Sequence, residues 1–518
     1  MGRPGTAACP PFGRKAAGFW ERERRYGTPR WRIERATERR LAGDWLGACR
    51  AAGVDVGFDL AEVASEHGAR VAERLERDLL HLAPDLLRWH LSGDADAYAL
   101  AAYGKSRLFL SWPEGLGFGA KPDVLLAPGH VWDVRRSGEL LARLGGRGRA
   151  PFFEADGTPR EPPEVPDGPV ERAERLTALF ERGAVQEAFA EAGIELLAPG
   201  NARALEFLGR VPLVGRVPLD LHRIEKEVRL LGGGRFLVQM WRFSLTPNTW
   251  DAQTDLLLET MDDRLRVTWM RPGDVDGPAD PLPELFWRRS PDLDLVRAGR
   301  LTPDELHPLV REALFPERVP DGPVGPGGAP PEVARVRCRG EWHEVSFRRG
   351  ELRVHAHTDE ERRREGTLRA LGGTVPGCFT VRERWDGDGF LPRALREQRR
   401  ELFHRVECGD TEGVLRCLES GFDAHARDGD GRSLLHWLHV LDHEVLLPRL
   451  LDEGFDLEAR DVWGRSPLVA AVANGASAAA VRALIGAGAC ADVSGGLPAE
   501  IARIWNRKDL AFLQDAGE

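Results

Sequence analysis

The residues best suited to chemistry in this 518-residue chain are its histidines, cysteines and glycine loops. In the stretch ELRVHAH, His355 and His357 fall two positions apart, which places both on one face of a strand as two ligands of a metal would stand. His343, Asp359 and Glu360 lie near enough in the chain to add ligands. The pattern stops there: HxH recurs freely on strand edges, and no HExxH or paired CxxC accompanies it, so neither a metal nor a cofactor is assigned. His436, His439 and His443 form a second close set. The seven cysteines are scattered singly, an odd number without CxxC, which points to a reducing cytoplasmic setting rather than a disulfide framework. GLGFG at 115–119 is not GxGxxG, and Gly232, Gly233 and Gly234 lack the Lys-Ser/Thr of a phosphate loop. No GxSxG or kinase signature occurs either, so no catalytic residue is named.

The elements that would position these groups suggest an α+β multidomain chain. Residues 1–36 are basic, with eleven Arg or Lys against four Glu to position 40, interleaved with Phe19, Trp20, Tyr26 and Trp31. Basic plus aromatic is a nucleic-acid signature. With no second basic stripe, the favoured reading is an arm whose Trp31 and Ile33 dock on the body. Net charge is −10, and arginine far outnumbers the five lysines, a bias read as nucleotide composition rather than function. No apolar run is long enough to cross a bilayer, so no membrane partner is expected. MGRPGT fits the bare myristoylation pattern, with Pro4 inside it, and is read as chance.

From 37 to 150 the chain forms a helical and mixed domain, with Leu60, Val63, Val71, Leu75, Leu79 and Leu82 at helical spacing. Residues 151–169 read as linker. A second α+β domain spans 170–315: a helix pair broken at Gly183, then strands EVRLL, RFLVQMWRFSL and LRVTWM, the first two flanking the three glycines. TPDEL at 302–306 carries a capping box and opens a helix running to Phe315. The Pro- and Gly-rich segment 316–332 is the clearest linker. Residues 333–396 form a small antiparallel β meander, continued after a charged helix by a strand at CFTVRERW.

In the last region, 397–518, the chain repeats itself. Asp428, Gly431, Ser433 and Gly421 recur 33 positions on as Asp461, Gly464, Ser466 and Gly454. The units DGDGRSLLHWL and DVWGRSPLVAA resemble the Asp-x-x-Gly-x-Thr-Pro-Leu-His-x-Ala pattern of the ankyrin repeat family over about 120 residues. The resemblance implies an all-α stack of about four units with degenerate ends, the small β unit supporting it. It also implies a turn-bracing role for His436. Leu434 and Val469 replace the family's Pro and His, and Pro448 predicts a late start or kink in one second helix.

In that family the turn tips and inner-helix positions contact a protein partner. Carried across, these are Asp430, Arg432, Val440 and Leu441 in one unit, and Val462, Trp463, Arg465, Ala473 and Asn474 in the next. Trp463 leads, because a turn tip gives it little core to fill, and Trp and Arg dominate interface energetics. The expectation is therefore a cytoplasmic scaffold or regulatory protein that binds another protein, with no nucleic-acid role. One alternative is an enzyme of unknown reaction in 37–315, targeted by the repeats. Another is an immunity-type inhibitor masking a neighbour's active site.

Overall fold

A computed structural model of the chain describes residues 14–515 except 57, 92–98, 101–107, 111–123, 127–128, 164, 198–217, 231–233, 240–254, 262–263, 271–274, 283, 328–333, 339, 349–350, 355–356, 374–376, 387–390, 492–496 and 505–506. The protein mixes helix and strand and divides into two compact units, Met1–Gly327 and Gly328–Glu518. The division falls inside the Pro- and Gly-rich segment at 316–332.

The N-terminal unit holds a five-stranded sheet in the order Glu195–Leu197, Arg264–Met270, Asp255–Met261, Arg235–Gln239 and Asp280–Pro281. Its central three strands are antiparallel, with Leu257 opposite Thr268 on one side and Leu237 on the other. Leu265, Val267 and Trp269 alternate inward at period two, onto Leu179, Phe180 and Phe189 from helices Pro169–Glu181 and Val185–Ala192. Gly183 and Gly193 end those helices in the left-handed conformation, at φ 83° and 79°.

Three sequence expectations need correction here. EVRLL belongs to a helix, Ile224–Leu230, not a strand. Ile224 and Val228 are both buried, one helical turn apart, and that spacing outweighs the local strand-like composition. Segment 151–169 is no free linker: Phe152 and Phe153 are core residues, and the Phe152 amide donates to buried Glu174 at 2.7 Å. The basic arm is helical from Arg14, and Trp20 packs in one core with Trp89, Phe153, Leu306 and Phe315. Residues of the two proposed domains 37–150 and 170–315 thus share that core. The GLGFG loop lies outside the described residues.

Inside the core Arg24 donates from Nε to Asp292 at 2.6 Å and from Nη1 to the Trp89 carbonyl at 2.6 Å. Its guanidinium lies 5.1 Å from the Trp20 ring and 4.7 Å from Trp89. Trp20 and Arg24 of the basic and aromatic set thus fold inward, whereas Phe19 stays exposed. Burial, then the nearby Arg24, His307 and Arg223, holds His90 well below the ordinary histidine range. His130 is lowered likewise by burial and by His90. Both are bases favoured neutral in the folded state. Their stabilisation is present above the unfolded value of about 6.5 and is lost as pH falls below it, at up to about 1.4 kcal/mol per pH unit each. Thermal melting at pH 7 and pH 5 is expected to show a lower midpoint for the N-terminal unit at pH 5; equal midpoints would refute this.

In the C-terminal unit, strands β1 (Arg335–Cys338), β2 (Glu341–Arg348) and β3 (Glu351–Val354) form the antiparallel meander. Helix α1 (Asp359–Ala370) follows, opened by a capping box between Thr358 and Glu361. CFTVRERW is not a strand but helix α2 (Cys378–Asp386), entered through Gly377 at φ 74°. Then come α3 (Arg393–Glu407), α4 (Thr411–Glu419), a 3₁₀ turn at Leu434–Trp437, α5 (His443–Asp452), α6 (Pro467–Ala473), α7 (Ala478–Gly486) and α8 (Leu497–Ile504). Where Pro467 occupies the first helical position a full helix forms, whereas Leu434 opens only the 3₁₀ turn. Helix α5 is neither late nor interrupted; it continues through Pro448. One apolar core runs from Val336 and Val345 in the meander through Val381 and Leu402 to Leu484 and Leu513. The meander and the helix pairs are one body.

Candidate functional site

The repeated aspartates build the turns between helix pairs. Asp428 Oδ1 accepts from the amides of Asp430 and Arg432, each at 2.9 Å, and Oδ2 takes Arg432 Nε at 2.8 Å. Asp461 does the same with the amides of Trp463 (2.9 Å) and Arg465 (2.8 Å) and with Arg465 Nε (2.8 Å). Burial raises the Asp461 carboxyl, but the Arg465 amide and guanidinium outweigh it and hold the group below its ordinary value. Each turn closes with Gly431 or Gly464 left-handed, at φ 72° and 75°.

Successive turns are bonded to each other. The Val462 amide donates to the Asp430 carbonyl at 3.0 Å. The Ser433 amide donates to His436 Nδ1 at 3.2 Å, so the ring proton sits on Nε2, which donates to the Arg465 carbonyl at 3.1 Å. His436 therefore braces one turn against the next. His439 Nδ1 meets the His436 carbonyl at 3.2 Å, and none of His436, His439 and His443 joins a ligand cluster among the described residues.

Of the expected contact positions, Val462 and Trp463 stand out at 65 % and 58 % exposure. The Arg465 guanidinium lies 4.5 Å from the Trp463 ring and is itself fixed by Asp461, so the indole is backed by a held cation. Val440 and Asn474 are exposed, and Asp430, Arg432, Arg465 and Ala473 partly so. Leu441 is a correction: at 4 % exposure it belongs to the core and presents nothing. Trp437 is buried too, its Nε1 donating to Asp428 Oδ2 at 3.2 Å.

A second constellation was read only in part from the sequence, through His343 and His357 but not the cysteines. Cys338 closes β1, His343 lies in β2, His357 follows β3, and Cys378 is the first residue of α2. Their ligand atoms all lie within 4.8 Å of one another. Cys338 Sγ is 3.5 Å from His357 Nε2, Cys378 Sγ is 3.5 Å from His343 Nδ1, and the two nitrogens are 3.1 Å apart. Cross-strand pairing of Val336 with His343 and of Cys338 with Glu341 sets Cys338 and His343 on one face of the hairpin. A Cβ on Gly377 would meet Cys338 Sγ at 2.6 Å, so only glycine lets the start of α2 come this close. Of the two histidines paired in the sequence reading, His357 joins, and His355 lies outside the described residues. His343, considered there as an additional ligand, does join. Asp359 and Glu360 are not in the cluster.

Among the described residues of the N-terminal unit, a His–Asp pair has the form of a catalytic dyad. His307 Nε2 is 2.9 Å from Asp85 Oδ2, and His307 Nδ1 accepts from the Leu309 amide at 3.2 Å. Each side chain is only 1 % exposed, and the His307 ring caps helix Pro308–Leu314. Two surface clefts of about 450 and 660 Å³, one lined by Arg35, Glu38, Arg39, Asp44 and Arg50, hold no histidine or cysteine.

No protein-family model matches the sequence, and no curated protein is similar to it. Among the described residues no helix is long and apolar enough to cross a membrane.

Proposed function

We propose that this protein is a cytoplasmic interaction protein whose ankyrin-like C-terminal units bind another protein through their turn tips. The observation that carries the reading is Trp463: a large apolar side chain more than half exposed, on a turn whose backbone is fixed by Asp461 and whose ring is backed by Arg465. A pre-positioned aromatic loses little conformational freedom on binding, which is the character of an interface anchor. Val462 beside it extends the apolar tip. The 33-residue recurrence of Asp, Gly and Ser, with successive turns bonded to each other, supports the ankyrin-like assignment.

Replacing Trp463 by alanine is expected to weaken partner recovery roughly thirty-fold, about 2 kcal/mol, in quantitative affinity capture from the native host. The melting curve should stay nearly unchanged, because the side chain buries little. Trp342→Ala serves as the control, since Trp342 is equally exposed on the meander. Equal recovery by wild type and Trp463→Ala would remove the tip from the interface.

A further inference from the structure

We propose that Cys338, His343, His357 and Cys378 together bind one zinc ion, as a closed tetrahedral site that fastens the meander to helix α2. The argument begins with ligand chemistry. Two thiols and two imidazoles are the donors that select zinc over magnesium or calcium, which prefer oxygen. Geometry then discriminates further. With zinc–nitrogen bonds of about 2.0–2.1 Å and zinc–sulfur bonds of about 2.3 Å, a tetrahedron has N–N edges near 3.3 Å and N–S edges near 3.6 Å. The protein shows 3.1 Å between the two nitrogens and 3.5 Å for both sulfur–nitrogen contacts. Three of the six edges thus already match a zinc tetrahedron, and all four ligand atoms lie within 4.8 Å of one another.

The surroundings agree. His343 turns its other nitrogen, Nε2, toward Glu341 at 3.9 Å, and His357 turns Nδ1 toward Glu361 at 3.8 Å. Neither distance is a hydrogen bond, but a carboxylate within 4 Å of the outer nitrogen of each ring favours the proton on that side electrostatically and leaves the inner lone pair facing the cluster. Cys338, His357 and Cys378 are buried and His343 is half-buried. All four corners come from the chain, which leaves no position for substrate or reactive water, so the site is structural rather than catalytic. On binding, the two thiols lose their protons to solvent and become thiolates, and both imidazoles stay neutral.

A three-stranded meander is a small unit, and metal ligation is a common device for such units. Here the ligands come from β1, β2, the end of β3 and the start of α2, so one ion would join every element of the meander. The core of that meander continues into the helix pairs, and the ion therefore supports the base on which the proposed recognition turns stand. The inference does not depend on the partner reading: a metal count can succeed or fail whatever Trp463 binds.

The test is elemental analysis of the full chain, purified without chelator and exchanged into metal-free buffer. About one zinc per chain is expected. Cys338→Ser and Cys378→Ser should each lower that content at least tenfold, while Cys490→Ser, an exposed cysteine away from the site, should leave it unchanged. Because the ligand variants can misfold, the wild-type protein carries an independent measurement. Exchange with cobalt(II) should produce the intense visible bands of a tetrahedral ion together with sulfur-to-cobalt charge transfer. Background metal in the wild type that zinc addition does not raise would overturn the proposal. So would stoichiometric iron in place of zinc, a Cys338–Cys378 disulfide found by mass, or full zinc retention in both cysteine variants.

Discussion

Replacing Asp292 with alanine is expected to destabilise the N-terminal unit by about 3–5 kcal/mol, the range for removing one partner of a buried ion pair. Asp292 takes Arg24 Nε at 2.6 Å and the Trp89 indole N–H at 3.3 Å, and both charged side chains are only 1 % exposed. Without the carboxylate, the Arg24 charge stays buried between Trp20 and Trp89, and solvent cannot replace its partner. Asp292→Asn keeps an acceptor but not the charge and should cost less. Converting both residues together, Arg24→Met with Asp292→Leu, should recover most of the loss, because it removes the buried charge as well as the bond. Denaturant unfolding measures all three. A single Asp292→Ala variant within about 1 kcal/mol of wild type would mean that water reaches the pair.

His436→Ala should produce the next largest effect, a loss of about 2–4 kcal/mol in the C-terminal unit. The ring is fully buried and uses both nitrogens, accepting from the Ser433 amide and donating to the Arg465 carbonyl in the next turn. Alanine leaves a buried amide and a carbonyl without partners and a cavity between two units. Burial also holds His436 below its ordinary value, although the Arg465 carbonyl opposes the shift. Its contribution is present above about pH 6.5 and falls as pH drops below that value, so the variant should also be less acid-sensitive than wild type. Urea titrations at pH 7.5 and pH 5.5 would show this; an unchanged pH dependence would exclude His436 as a source of acid lability.

The C-terminal turns were legible in the sequence because their determinants are local. Asp428, Gly431 and Ser433 act within six positions of one another, and repetition as Asp461, Gly464 and Ser466 exposes the pattern. The exposure of Trp463 followed from its place on that turn. Leu441 was misplaced because inner-helix positions depend on how neighbouring pairs pack, and the 3₁₀ turn at Leu434–Trp437 carries it into the core. The Cys–His cluster was nearly invisible: its ligands sit at positions 338, 343, 357 and 378, on four elements, with no short spacing to reveal them. His355 and His357 attracted notice by adjacency, whereas the contacts that matter cross the hairpin and reach the start of α2. Burial of Trp20 and Arg24 was hidden for a related reason. Basic and aromatic composition describes an exposed arm and a cation–π core equally well, and only the partner Asp292, far along the chain, decides between them.

The side chains at the tips differ while the turn that carries them is the same. Asp430 and Trp463 occupy the same place in successive turns, one acidic and one aromatic. In both cases the aspartate behind the tip makes the same pair of amide bonds. What each turn displays is thus uncoupled from what holds the turn. If the tips bind a partner as proposed, single substitutions there would change what is recognised while the aspartate-held turn stays the same.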